Sequence, residues 1–273
     1  MSAGIERIVV ALDAASENRT AINTAARLAA RWKAPMHGVF VEDDDLIRLA
    51  NLPFARQVTL GLGVENFDLQ QAERHMRAYA EHTRRDLAVA ARRHGVEWTF
   101  EVVRGAPDQP LGAASANDFL VCSTTTRPVG GHFRVECRWW SGFEPNAGSF
   151  LLAHRDRHEG RVAALVFDQG PASERLLAAA ARLADANGGG LTVVSPPELA
   201  ASAGFKPWLD RALAGQPVMV EVALAPAEAA ALYRRIVALD CRVVALASGA
   251  PAAQSDRLRA MVAQIACDVL IVR

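Results

Sequence analysis

A polar run near the middle of the chain carries the side chains of an anion-binding site. Four hydroxyl groups follow one another directly: Ser123, Thr124, Thr125 and Thr126. The guanidinium of Arg127 comes next, and Gly130 and Gly131 lie in the same predicted loop. Donors of this kind bind phosphate oxygens. The pattern therefore predicts a site for a phosphate-bearing ligand. The competing interpretation is a solvated turn whose hydroxyls bond to the local backbone.

Three other candidate residues lie where predicted strands end. Asp13 follows the first apolar run, Val41 closes the second, and Gly105 follows the third. Parallel α/β sheets bind their ligands at the carboxyl ends of the strands. The sequence therefore predicts that Asp13, Val41, Gly105 and Ser123 converge at one sheet edge. An acid after a strand is also a common turn or helix-cap residue, which is the alternative role for Asp13.

The elements that must position these residues alternate between strands and helices. Residues 5–12 form an unbroken apolar run typical of a strand buried on both faces, whereas residues 19–32 repeat apolar positions with a helical period. A longer helical pattern over residues 68–94 ends at Gly95. This alternation predicts an α/β fold with right-handed crossovers and a parallel sheet.

The same pattern occurs twice in the chain. Residues 5–41 and 160–195 align with an offset of 155 residues, which places Asp168 at the position of Asp13. A repeat this long indicates a duplicated domain, because solenoid units are about 20 to 50 residues long.

The duplication also predicts where the domains lie. We expect a first domain over residues 1–155 and a shorter, degenerate second domain over residues 160–273, joined by a charged linker. The first domain holds a variable insertion over residues 42–67, which we expect to be partly helical and partly loop.

The charge balance argues against polyanionic partners. The 273 residues include 30 Lys or Arg and 30 Asp or Glu, so the formal net charge is zero. Because general binders of nucleic acids and anionic membranes carry a basic excess, neither partner is expected. The chain shows no signal-peptide pattern and no apolar run of the roughly 18 residues that span a membrane. These features predict a cytoplasmic location.

Common catalytic and metal-binding motifs do not occur in the sequence. It contains no P-loop, no G-x-S-x-G nucleophile motif and no H-E-x-x-H zinc motif. Three of the four cysteines lie in or beside apolar runs, where we expect them to serve as core residues: Cys122, Cys241 and Cys267. Cys137 lies in a polar loop and is the remaining candidate for a reactive thiol.

Five ordered segments of the chain resemble segments of a known family. They are IVVALDAAS at 8–16, HGVFVE at 37–42, VVRGAP at 102–107, FLVCST at 119–124 and CDVLIVR at 267–273. Together they resemble the universal stress protein family, and the resemblance covers nearly the whole chain as a tandem pair. It implies two doubly wound parallel five-stranded sheets in tandem, of the adenine-nucleotide α-hydrolase-like type.

The resemblance also implies a ligand. ATP or a related nucleotide is the implied cofactor, with Asp13 at the ribose or adenine and the backbone of Val41 at the base. Members that bind ATP carry G-x2-G-x9-G-[ST] after the fourth strand, and neither half has this spacing. The second half retains only Gly249 there, and Pro251 removes a backbone donor. We therefore assign any ligand to the first half.

The sequence thus indicates a binding or regulatory protein rather than a catalyst. Two alternatives stay open: a protein–protein scaffold without a small ligand, and a slow ATP hydrolase that uses residues 123–131 and a bound Mg²⁺. The hydrolase lacks an evident general base or pair of metal-binding carboxylates. Because pairing in the family commonly uses the last strand, we expect strands near 149–153 and 268–272 to meet within the chain. The sequence is also compatible with a homodimer.

Overall fold

The computed structural model divides the chain into two compact units, residues 1–147 and residues 148–273. The structure describes residues 5–14, 18–43, 56–59, 63–66, 69–105, 114–123, 148–154, 160–248 and 267–273. Helices alternate with mainly parallel strands in each unit, which confirms the predicted α/β class.

The first unit builds a parallel sheet around its first strand. Its strands are β1 (Arg7–Asp13), β2 (Met36–Asp43), β3 (Arg56–Thr59), β4 (Gly63–Asn66), β5 (Trp98–Gly105) and β6 (Asp118–Ser123), and its helices are α1 (Asn18–Trp32) and α2 (Leu69–His94). Four of the strands pair in parallel in the order β6-β1-β2-β5. This order places the carboxyl end of β1 between those of β2 and β6.

Helix α1 forms because its apolar residues recur with a helical period and cover the sheet. Four of them are at most 1% exposed: Ile22, Ala25, Ala26 and Ala29. The helix ends at Trp32, where Lys33 adopts a φ of 54° and the N–H of Ala34 donates to the carbonyl of Ala29 at 3.0 Å. This left-handed residue turns the chain from α1 into β2.

Helix α2 packs closely against β2 at Gly38. A Cβ atom on Gly38 would lie 2.8 Å from Cδ1 of Leu87 in α2 and 3.1 Å from the ring of Phe100 in β5. Leu87 is fully buried, so it has little room to move away. The missing side chain of Gly38 therefore sets how closely α2 covers the sheet.

The insertion contains a hairpin that the sequence interpretation missed. Strands β3 and β4 pair antiparallel from Arg56 opposite Asn66 to Thr59 opposite Gly63. The prediction of helix and loop is wrong for this segment. In the sequence, the β-branched residues Val58, Thr59 and Val64 flank a short glycine-containing stretch, and this composition favours a hairpin over a helix.

The second unit also alternates strands with helices. Its strands are β7 (Ser149–Ala153), β8 (Val162–Leu165), β9 (Leu191–Ser195), β10 (Val220–Leu224), β11 (Val243–Ala247) and β12 (Asp268–Val272). Its helices are α3 (Pro171–Ala186), α4 (Pro197–Ala200), α5 (Phe205–Ala212) and α6 (Ala229–Ala238). Strands β8 to β12 form the predicted five-stranded parallel sheet in the order β10-β9-β8-β11-β12.

Strand β7 adds an antiparallel strand to the second sheet. Leu152 lies opposite Val269 and Ser149 opposite Val272, so β7 pairs with β12 along its length. This pairing confirms the expectation that residues 149–153 and 268–272 meet. It also protects the outer edge of β12, which would otherwise expose unpaired backbone groups.

An ion pair between the half-exposed Arg7 and the buried carboxylate of Asp118 connects β1 and β6 at their amino ends. Arg7 donates from Nε and from a terminal nitrogen to the two carboxylate oxygens of Asp118, both at 2.9 Å, and the N–H of Ser115 donates to the same carboxylate at 2.7 Å. Burial acts to raise the pKa of Asp118, but these donors outweigh it and hold the pKa below its usual value. The ionised carboxylate therefore stabilises the folded first unit.

We predict that Asp118→Asn lowers the free energy of unfolding at neutral pH by about 2 kcal/mol, because it replaces a carboxylate that accepts two hydrogen bonds from Arg7. The pKa of Asp118 is lower in the folded state than the value of about 3.9 in the unfolded state. The stabilisation by its carboxylate is therefore complete above about pH 3.9, and it is lost as the pH falls through the pKa of the folded state. Urea unfolding at a series of pH values should show the difference between wild type and variant shrinking below about pH 4.

Glu81→Gln is the matched control. Its carboxylate pairs with Arg84 on the exposed surface of α2, where solvent screens the charges. A pH-independent effect of Asp118→Asn, or an equal effect of Glu81→Gln, would contradict the role given to the ion pair of Arg7 and Asp118.

Candidate functional site

The carboxyl edge of the first sheet brings three predicted site residues together. Asp13 is the last residue of β1 and pairs in register with Val41 of β2, which in turn pairs with Val103 of β5. Gly105 ends β5 two positions further along. The predicted edge therefore exists, with Asp13 and Val41 as direct neighbours.

Strand β2 is longer than the sequence indicated. It continues past Val41 to Asp43, where it pairs with Gly105. Glu42 and Asp43 belong to the insertion that was expected to be partly helical and partly loop, and this expectation is wrong for these two residues. The two residues extend the strand because β5 supplies hydrogen-bonding partners alongside them.

Ser123 lies on the other face of the sheet. Val121 of β6 pairs with Val10 of β1, and side chains alternate along a strand. Ser123 therefore shares the face of Val10, whereas Asp13 points to the opposite one. The Ser123 hydroxyl is buried, with the residue 3% exposed.

The segment that follows β6 lies outside the described residues. It contains Thr124, Thr125, Thr126, Arg127, Gly130 and Gly131. Their role in anion binding stays a prediction from the sequence.

The turn after β1 is held by one buried asparagine. Asn18, the first residue of α1, donates from Nδ2 to the carbonyl of Asp13 at 2.8 Å, and its Oδ1 accepts from the N–H of Asp13 at 3.3 Å. The same Nδ2 is 3.4 Å from Oγ1 of Thr83 in α2. Asn18 is 5% exposed and Thr83 is 2% exposed. One amide thus fixes the backbone of Asp13 against both helices.

The second unit uses the equivalent position differently. Ser173, which aligns with Asn18 in the repeat, donates from Oγ to Oδ1 of Asp168 at 2.8 Å. The N–H of Gly170 donates to the same oxygen at 2.8 Å. The Asp168 carboxylate therefore stabilises its own turn, as the side chain of an Asx turn does. In the first unit the side chain of Asn18 bonds to the main chain of Asp13.

A network of ion pairs lies near the carboxyl ends of β2 and β5, on the α2 face of the sheet and therefore on the face opposite to that of Asp13. Arg104 of β5 contacts a carboxylate oxygen of Glu42 in β2 at 3.2 Å and one of Glu73 in α2 at 3.5 Å. Arg77 of α2 contacts Glu73 at 3.6 Å. No local sequence pattern marks this network, because Glu42 and Arg104 are far apart along the chain and neither belongs to a recognisable motif.

The described cysteines are core residues, as predicted. Cys122, Cys241 and Cys267 are all buried. Burial raises the pKa of the Cys241 thiol to about 11 and that of the Cys267 thiol to about 12, so both stay protonated at neutral pH. Cys137 lies outside the described residues.

The described residues contain neither a cluster of metal ligands nor a helix that could span a membrane. No group of three or more His, Cys, Asp or Glu side chains in that part of the chain is arranged to hold a metal ion. Among the helices described, none has the length and apolarity that crossing a bilayer requires.

Comparison with known proteins identifies the fold. No family model and no curated protein matches the sequence. Among solved structures, a universal stress protein from Archaeoglobus fulgidus DSM 4304 matches 98% of this chain and 96% of its own, with 12% identity and a TM-score of 0.62. A functionally unknown protein from Pseudomonas aeruginosa PAO1 matches 98% and 92%, with 14% identity and a TM-score of 0.58. The chain therefore has the universal stress protein fold, as its sequence resemblance implied.

We predict that Asn18→Ala lowers stability by about 1 to 3 kcal/mol, because it leaves the N–H and carbonyl of Asp13 without their partner. Ser173→Ala is the matched control at the equivalent position. It removes one hydrogen bond to a partly exposed carboxylate and should cost about 1 kcal/mol or less. Urea unfolding of the two variants measures both effects. Equal losses would show that Asn18 is not a special constraint.

Proposed function

We propose that the first unit binds a nucleotide or another phosphate-bearing ligand at the carboxyl edge of its sheet, and that the protein acts as a binding or regulatory module. The observation that carries this proposal is the Asn18 amide, which fixes the backbone of Asp13 directly beside Val41. A ligand site gains affinity when its groups are already held in place before binding. Parallel α/β sheets bind their ligands at this edge.

The two units support an asymmetric assignment. Asp168 of the second unit accepts hydrogen bonds from its own turn, through Gly170 and Ser173. These contacts give its carboxylate a structural role. In the first unit the side chain of Asn18 bonds to the main chain of Asp13. The run of hydroxyl residues followed by Arg127 belongs to the first unit alone, and this run favours the first unit as the ligand-binding copy.

The proposed ligand is ATP or a related nucleotide. In this arrangement the Asp13 carboxylate accepts from a ribose hydroxyl or the adenine edge, and the backbone of Val41 contacts the base. The proposed partners of the phosphates are the hydroxyl groups of Thr124, Thr125 and Thr126 and the guanidinium of Arg127. These contacts follow the family resemblance, and the absence of the usual glycine spacing makes Arg127 the main proposed phosphate contact.

A protein–protein scaffold without a small ligand is the competing function. The observation that favours it is the row of exposed apolar side chains on β10, which includes Val222 and Leu224. The two functions differ in whether a nucleotide stabilises the protein.

We predict that ATP, ADP or AMP raises the melting temperature of the wild-type protein, since a ligand that binds only the native state stabilises it. The gain is about 2.7 kcal/mol at about 100 times Kd. Thermal-shift assays with and without Mg²⁺ measure the effect. Asp13→Ala should remove the nucleotide-dependent shift. Asp168→Ala is the matched control, and it should lower the melting temperature slightly while keeping the shift.

Two results would contradict the proposal. The absence of a shift at millimolar nucleotide would favour the scaffold. A shift that survives Asp13→Ala but disappears in Asp168→Ala would move the ligand to the second unit. Arg127→Ala tests the phosphate contact separately, because an unchanged shift in that variant would remove residues 123–131 from the site.

A further inference from the structure

Strand β10 forms one edge of the second sheet. In the described part of the chain only β9 pairs with it, in parallel, from Val220 opposite Leu191 to Leu224 opposite Ser195. An edge strand presents a row of backbone N–H and carbonyl groups that another strand can bind.

The exposed face of β10 is apolar. Val220 is 38% exposed, Val222 is 46% exposed and Leu224 is 52% exposed. These residues alternate along the strand, so they share one face of the sheet. Met219, immediately before the strand, is 80% exposed. Four large apolar side chains thus lie in or beside a five-residue edge strand.

The same residues carry the outward backbone groups. The carbonyl of Met219 accepts from Leu191 at 2.8 Å, and the N–H of Ala225 donates to Ser195 at 3.1 Å, so both residues turn toward β9. Along a strand the N–H and carbonyl groups of successive residues point alternately to the two neighbouring sides. Glu221 and Ala223 therefore also direct these groups toward β9. Val220, Val222 and Leu224 therefore direct their N–H and carbonyl groups away from the sheet.

Strand β5, at the edge of the first unit's sheet, differs from β10 in its side chains. It carries the charged residues Glu101 and Arg104. Arg104 forms ion pairs with Glu42 and Glu73, and a carboxylate oxygen of Glu101 is 3.3 Å from Nε2 of His37. Charged side chains on an edge strand oppose pairing with another chain.

The edge of β10 lacks this protection. Its one charged residue is Glu221, and that carboxylate is bonded to the guanidinium of Arg161 within the same unit. Since Glu221 is paired in its own chain, no uncompensated charge stands in the way of a second strand.

We propose that β10 is a dimerisation strand, which pairs antiparallel with β10 of a second copy of this chain about a two-fold axis at Val222. In this register Val222 faces its counterpart, Val220 faces Leu224, and Glu221 faces Ala223. Apolar side chains meet apolar side chains on the exposed face, and like charges never lie directly opposite each other. The outward backbone groups of Val220, Val222 and Leu224 become the hydrogen-bonding pairs of the ladder. The strand is thus complementary to itself, as a two-fold interface requires.

The expected dimer is weak. Five residues per copy form the ladder, whereas a standard stable interface uses about 20 to 30 residues a side. Dimerisation should therefore depend on protein concentration in the micromolar range. It involves the second unit and is independent of nucleotide binding in the first.

Sedimentation velocity over micromolar concentrations tests the proposal. We expect the wild-type protein to shift from monomer to dimer as its concentration rises. Val222→Lys places two like charges opposite each other at the two-fold axis and should leave only monomer. Val102→Lys is the matched control, because Val102 is 47% exposed on β5 and the same change there should leave dimerisation intact.

Amide hydrogen exchange of the wild-type protein provides a readout that needs no variant. Exchange at Val220, Val222 and Leu224 should slow as the protein concentration rises, because their N–H groups point away from β9 and gain partners in the dimer. Exchange at Glu221 and Ala223, which donate to β9 in the monomer, should not change. A protein that stays monomeric with concentration-independent exchange overturns the proposal. So does a dimer that Val222→Lys leaves intact or that Val102→Lys abolishes.

Discussion

The first unit depends on a single buried amide at the end of its central strand. A chain that leaves β1 must break the strand ladder and begin a helix within a few residues, and its backbone polar groups must find partners away from water. Asn18 meets this requirement for both main-chain groups of Asp13, and its Nδ2 also lies within bonding distance of Thr83. The position of α1, the contact with α2 and the location of Asp13 follow from the same side chain.

The second unit stabilises the equivalent strand-to-helix turn with different hydrogen bonds. The second unit places Ser173 where the first has Asn18, and the serine bonds to the Asp168 carboxylate rather than to the main chain. Each solution produces a stable strand-to-helix turn. They differ in the group that the equivalent residue contacts, which is the main chain of the acid in the first unit and the carboxylate of the acid in the second. One topology thus accommodates two bonding arrangements at the end of the same strand.

Local patterns predicted the fold well because strands and helices here are encoded by nearby residues. The end of β1 at Asp13 and the pairing of residues 149–153 with 268–272 were predicted and are confirmed by the structure. The site was less accessible to sequence analysis. The extension of β2 through Glu42 depends on pairing with β5, including a contact to Arg104, and no local pattern encodes such a long-range contact. Asn18 was missed because its partner is the backbone of Asp13, and a main-chain group leaves no mark in the sequence.

A titration of the isotope-labelled protein with ATP, followed by amide chemical shifts, tests the central claim most directly. The account predicts that the largest changes occur at the carboxyl edge of the first sheet, at Asp13, Val41 and Gly105, while the turn containing Asp168 and Gly170 keeps its shifts. Changes confined to the turn around Asp168, or a spectrum that does not respond to nucleotide at all, would contradict it.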